Sequence, residues 1–69
     1  MKEIISNTIY ELRSRVGMTQ EELADRLAVS RQTVIALEKG NYAPSVTLAL
    51  KCARVFDTSV EKIFTITRM

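Results

Sequence analysis

The feature that most constrains the fold of this 69-residue sequence is a pair of helix starts separated by almost no linker. Thr19 followed three residues later by Glu22 forms a capping box: the threonine hydroxyl takes the Glu22 N–H, and the carboxylate reaches back to the Thr19 N–H. Met18 can pack on Leu23 as a hydrophobic staple, and the spacing predicts a helix over Gln20–Leu27. Only Ala28 and Val29 then precede Ser30, a second N-cap, and Val29 can staple to Val34. The helix opened there, about Arg31 to Lys39, stops at Gly40, with Val34 and Leu37 facing inwards. Two short helices joined by so brief a turn cannot lie antiparallel and must cross at a steep angle.

Upstream, Ile9, Leu12, Arg13 and Val16 are spaced i, i+3, i+4, i+7. They predict a first helix from Asn7 or Thr8 to Val16, stopped by Gly17. After a loop over Asn41–Pro44, Ser45 caps a fourth helix with apolar positions Val46, Ala49, Leu50, Ala53 and Phe56. Asp57 and Thr58 interrupt it. A short fifth helix starts at Thr58 or Ser59, with Val60, Ile63 and Phe64 as its apolar side, and Glu61 completes a capping box only if Thr58 is the cap. Glu3–Ser6 is β-branched in its middle, and Phe64–Thr67 alternates with period two. A two-stranded antiparallel ribbon joining the chain ends is therefore expected. The predicted fold class is all-α: one domain over residues 1–69, five helices, extended by a small two-stranded antiparallel sheet.

With 46% hydrophobic and 26% charged residues, two glycines and one proline, the chain is too apolar and too little punctuated for disorder. Its length suits a binding surface better than a deep catalytic cavity. No apolar run approaches the ~20 residues of a membrane span, and only Ile4–Ile5 stands where a signal peptide needs an apolar stretch. A cytoplasmic location is expected. The lone Cys52 cannot form an intrachain disulfide, and the absence of histidine removes the common zinc-ligand patterns. Without a Gly-rich phosphate loop or a nucleophile beside a base, an enzyme is the weakest reading, and no cofactor, metal or small-molecule ligand is expected. The formal net charge of +2 permits nucleic-acid binding but does not establish it. For that, Arg13, Arg15, Arg31 and Lys39 must converge on one face, with Glu21, Glu22 and Asp25 elsewhere.

Three segments carry a family resemblance: Thr19-Gln20-Glu21-Glu22-Leu23-Ala24, Val29-Ser30-Arg31-Gln32-Thr33-Val34 and Leu37-Glu38-Lys39-Gly40. Together they resemble the helix-turn-helix core of Cro/CI-type (XRE family) repressors. The similarity continues through Asn41-Tyr42-Ala43-Pro44-Ser45 and Leu48-Ala49-Leu50, covering about residues 8 to 64. It implies a five-helix lambda-repressor-like DNA-binding domain. The terminal strands are similar to those of short cytolysin-operon repressors, whose helical bundle is extended by a small sheet and which act as rigid dimers.

The resemblance implies that the N-terminal end of the third helix enters the major groove, where Arg31 can donate two bonds to guanine and Gln32 can pair with adenine. Ile35 and Ala36 lie off the Val34/Leu37 stripe and are candidates for contact with thymine methyls. Gln20 resembles the family glutamine that holds a phosphate and braces the first residue of the third helix. Ser30, Thr33, Lys39, Asn41 and Tyr42 are further candidate phosphate contacts. Ala24 stands where the second and third helices approach too closely for a larger side chain, and Ala28 stands at the turn where relatives often have glycine. Arg13 and Glu38 match positions that form a buried ion pair in phage repressors; the alternative is two solvated surface residues. Cys52 is expected to be a small buried hydrophobe rather than a redox sensor, and Phe56 and Phe64 to be core or interface residues.

One such unit makes few base contacts, so a homodimer reading two half-sites ~34 Å apart is expected, with Val60, Ile63, Phe64 and Ile66 as interface candidates. The implied function is a dimeric transcriptional regulator, a repressor, that reads a palindromic operator in double-stranded DNA. The alternative is a protein-interaction module or antitoxin-like partner using the same fold.

Overall fold

The structure is a computed structural model describing residues 3–40 and 42–68. Its elements follow in the order β1 (Glu3–Asn7), α1 (Ile9–Arg15), α2 (Gln20–Leu27), α3 (Arg31–Glu38), α4 (Val46–Val55), α5 (Val60–Ile63) and β2 (Phe64–Arg68). Side-chain hydroxyls start three of the helices. Thr19 Oγ1 accepts the Glu22 N–H at 3.0 Å while Glu22 Oε1 accepts the Thr19 N–H at 2.8 Å, completing the capping box of α2. Ser30 Oγ accepts the Thr33 N–H at 3.2 Å to open α3, and Ser45 Oγ the Leu48 N–H at 3.1 Å to open α4. Hydrogen bonds from the Thr19 backbone and then its hydroxyl hold the Glu22 carboxyl below its ordinary range. The box therefore supports α2 above the carboxylate range and loses that support in acid. Thr8 is the N-cap of α1 but its hydroxyl makes no cap bond; the side chain that serves this end is Asn7, whose Oδ1 accepts the Ile9 N–H at 3.1 Å. The cap of α5 is Ser59, so the box between Thr58 and Glu61 does not form.

Between α2 and α3, Ala28 takes the left-handed conformation, φ 58° and ψ 44°, and its N–H turns back to the carbonyls of Ala24 and Asp25. A β-carbon in this conformation is strained where glycine is not, by roughly 1 kcal/mol. The Ala28 side chain is exposed and has no packing to lose. Ala28→Gly is accordingly expected to stabilise the protein by about 0.5–1 kcal/mol in denaturant unfolding, and a loss of stability would show that the turn is not strained.

Ile9, Leu23, Ala24, Leu27, Val34, Leu37, Leu48, Cys52 and Ile63 form one buried cluster, with Leu12, Met18, Val29, Phe56 and Phe64 packed around it. Ala24 is nearly closed off where α2 meets α3. The apolar face assigned to the fourth helix needs correction. Val46 and Leu50 are 77% and 58% exposed, and the inward positions are Leu48 and Cys52. α4 is apolar on more than one side, so periodicity could not choose among its faces; contact with α2 and α5 selects the Leu48/Cys52 side. Ile63 also changes role. It is fully buried, because α5 turns it into the shared core, and it is not available to an interface between copies.

Burial pushes the Cys52 thiol up to about 11. The folded state thus favours the protonated form, and this contribution is present at neutral pH and lost as pH rises from the ordinary thiol range through about 11. Cys52 is expected to resist thiol reagents at pH 7–8 until the protein is unfolded by denaturant. Rapid labelling of the folded protein would contradict its enclosure.

The two strands pair antiparallel in the register Glu3↔Arg68, Ile4↔Thr67, Ile5↔Ile66, Ser6↔Thr65 and Asn7↔Phe64. The ribbon is one residue longer in each strand than the sequence pattern predicts. The Thr8 N–H donates to the Ile63 carbonyl at 3.1 Å, carrying the pairing to the foot of α1. Among the described residues no helix is long and apolar enough to cross a membrane.

Candidate nucleic-acid interface

Val34 and Leu37 are fully buried and hold one side of α3 against the core. The opposite side presents Arg31, Gln32 and Lys39 exposed, with Ile35 and Ala36 half-buried between them. Gln32, Ile35, Ala36 and Lys39 line one shallow depression of about 360 Å³, with apolar groups between polar ones. Arg31 borders a separate depression of about 670 Å³ that it shares with Arg13, Met18, Thr19, Gln20 and Glu21. The outer face of α3 and the start of α2 thus bring together Arg31, Gln32, Ile35, Ala36, Lys39 and Gln20. Ser30 and Thr33 lie at the head of α3 with their hydroxyls 3.0 Å apart, engaged in the helix cap. Tyr42 is exposed at the exit from α3, and Asn41 lies outside the described residues.

Behind this surface, Glu38 ties three elements together. Arg13 Nε donates to Glu38 Oε2 at 2.7 Å and Arg13 Nη2 to Oε1 at 3.2 Å, a bidentate pair between α1 and the last residue of α3. Arg13 Nη1 donates to the Met18 carbonyl at 2.8 Å, and Gln20 Nε2 donates to Glu38 Oε1 at 3.2 Å. The Arg13 guanidinium also sits over the Tyr10 ring, 5.4 Å from its centroid. A carboxylate at a helix C-terminus faces the negative end of the helix dipole, so Glu38 needs these donors. In return, its hydrogen bond raises Arg13 further above the ordinary arginine range, against the smaller opposing effect of burial.

The geometry bears on two expectations, one about charge and one about bracing. Arg13 borders the same depression as Arg31, but its charge is paired with Glu38; and Glu21 does not lie elsewhere but borders that depression too. Gln20 directs its amide to Glu38 at the end of α3, where the sequence reading has it brace the first residue of that helix. Tyr10 and the Gln20–Glu38 bond were not legible in the sequence, since both depend on how α1 and α2 are juxtaposed.

α2, the left-handed turn at Ala28 and α3 define a helix-turn-helix unit whose second helix keeps its outer face clear of the core. Comparison with known proteins agrees: the family model described as Helix-turn-helix matches residues 9–63. The chain is 54% identical over 56 residues to an HTH-type transcriptional regulator of Archaeoglobus fulgidus, spanning 81% of this chain and 80% of that protein. It is 47% identical over 60 residues to the HTH-type transcriptional regulator YgzD of Bacillus subtilis, spanning 87% and 91%. The crystal structure of the transcriptional regulator VanUg superposes with a TM-score of 0.80 over 100% of this chain and 92% of that one, at 20% identity, which is a likeness of fold. The chain belongs to the helix-turn-helix family, in its Cro/CI-type (XRE) branch.

Proposed function

We propose that this protein is a sequence-specific transcriptional regulator of double-stranded DNA, a cytoplasmic homodimer that reads a palindromic operator and represses by covering a promoter. The observation that carries this reading is the pose of α3: pinned beneath by Val34 and Leu37, it exposes Arg31 and Gln32 at its N-terminal end. Those are the residue types that pair with guanine and adenine edges in the major groove. Ile35 and Ala36 supply the apolar surface for thymine methyls, and Gln20, Ser30, Thr33, Lys39, Asn41 and Tyr42 are the candidates for the flanking phosphates. The reading needs no cofactor or metal. For the second half-site, the interface candidates are Val60, Phe64 and Ile66, the last of which is 63% exposed in the middle of the ribbon.

The division between positioning and reading is tested by titrating duplexes over a range of salt. Lys39→Ala is expected to weaken binding to every duplex and to flatten the salt slope by about one unit. Gln32→Ala is expected to relax preference at one base pair, with the slope unchanged. Equal behaviour of the two variants would contradict the assignment.

A further inference from the structure

Asn7, the last residue of β1, makes a connection that the DNA-reading surface alone does not explain. Its Oδ1 accepts the Ile9 N–H at 3.1 Å, and its Nδ2 donates to the Leu37 carbonyl at 2.8 Å. Both ends of the half-buried amide are therefore engaged, one opening α1 and the other reaching the last turn of α3. The Leu37 carbonyl also takes the Gly40 N–H at 3.1 Å and a share of the Lys39 N–H, so Asn7 adds a side-chain donor from another element to a group its own chain already serves. At the same end, Gly40 has φ +80°, and a β-carbon built there would lie 3.9 Å from the Ile5 carbonyl. The exit of α3 thus runs directly against β1. β1 is itself held by β2, with Asn7 opposite Phe64, and by the Thr8–Ile63 hydrogen bond.

Burial of Val34 and Leu37 sets which face of α3 turns outward, but hydrophobic attraction is itself non-directional and tolerates small tilts and slides of the helix axis. Hydrogen bonds do not. A helix of 8 residues is ~12 Å long, so a tilt of ~10° displaces one end against the other by ~2 Å, more than a base-reading hydrogen bond tolerates. The side-chain ties at this end of α3 are the Arg13 and Gln20 bonds to Glu38, from α1 and α2, and the Asn7–Leu37 bond, from β1.

We propose that Asn7 is a positioning residue that latches the C-terminal end of α3 to the terminal ribbon and so fixes the pose in which α3 presents Arg31 and Gln32 to a duplex. This rests on the DNA-reading function proposed above. The latch gives the ribbon a second purpose: the element that carries Phe64 and Ile66 is joined by one side chain to the reading helix.

Asn7→Ser tests it without a change of charge. A serine hydroxyl can still serve the Ile9 N–H, as in other hydroxyl-stabilised turns, but is too short to reach the Leu37 carbonyl. Affinities are measured for the wild type's preferred duplex and for a scrambled duplex at one salt concentration, with amide exchange at Lys39 and Gly40 followed in parallel. The expected result is a fall of about tenfold in the preferred-to-scrambled ratio, with faster exchange at those two amides. General destabilisation lowers the active fraction for both duplexes and leaves the ratio where it was. Should Asn7→Ser not fold, Asn7→Asp keeps the oxygen of the turn and is read by the same ratio, since its added charge weakens both duplexes alike. An unchanged ratio in a folded variant overturns the proposal. A wild type without preference for any duplex removes the DNA-reading function and the positioning role with it, and exchange at Lys39 and Gly40 then decides separately whether the latch exists.

Discussion

Glu38→Ala is expected to cost about 3–5 kcal/mol and to leave little of the fold at 37 °C. The Arg13 and Glu38 side chains are only 12% and 8% exposed, so both charges have given up most of their water. Removing the carboxylate strands the guanidinium, which retains only the Met18 carbonyl and the Tyr10 ring, and it leaves the Gln20 amide without its acceptor. Stranding a largely buried charge is costly even where the intact pair adds little net stability. A domain of this size has a total stability of roughly 3–10 kcal/mol, so the loss is a large share of the whole. The melting temperature is expected to fall by at least about 12 °C, at roughly 4–8 °C per kcal/mol. Arg13→Met combined with Glu38→Leu removes both charges, and much of the stability is expected to return. A loss below about 1 kcal/mol in the single variant would place the pair among solvated surface contacts.

The second large effect concerns DNA. Arg31→Ala/Gln32→Ala is expected to lower affinity for the preferred duplex by about 10²–10⁴-fold, since each well-formed bidentate base contact discriminates by about 1–3 kcal/mol. Both side chains are exposed at the head of α3, and neither belongs to the buried cluster, so unfolding is expected to be nearly unchanged. Binding to scrambled duplex should fall much less, by the contribution of one positive charge. Equal losses on both duplexes would mean that these residues position the protein without reading sequence.

Capping chemistry made much of this fold legible in the sequence. The capping box of Thr19 and Glu22, and Ser30 two residues beyond Ala28, locate α2 and α3, because each signal satisfies backbone N–H groups that have no other partner. The ribbon was visible in the alternation of Phe64–Thr67. What stayed hidden depends on which elements meet. α4 offers Val46, Leu48, Leu50 and Cys52 to different sides, and only its neighbours decide which are enclosed. Ile63 looked available to a partner because Val60, Ile63, Phe64 and Ile66 together exceed what one small core can bury; the core takes it. At the site, residue types singled out Arg31 and Gln32, but neither the place of Glu21 beside Arg31 nor the turn of Gln20 to Glu38 is written in local spacing, since each depends on how α2 crosses α3. Asn7 was visible as a possible helix start, while its second bond, to Leu37, exists only once β1 lies along the exit of α3.

The central claim is that α3 reads DNA sequence, and selection from a random duplex library at ~150 mM salt, where non-specific binding is weak, tests it most directly. Wild-type protein and Arg31→Ala/Gln32→Ala are carried through the same rounds. The account predicts that the wild type enriches one two-fold-symmetric site and that the double variant does not. A folded wild type that enriches nothing would contradict it and leave a protein-binding module as the reading of this surface.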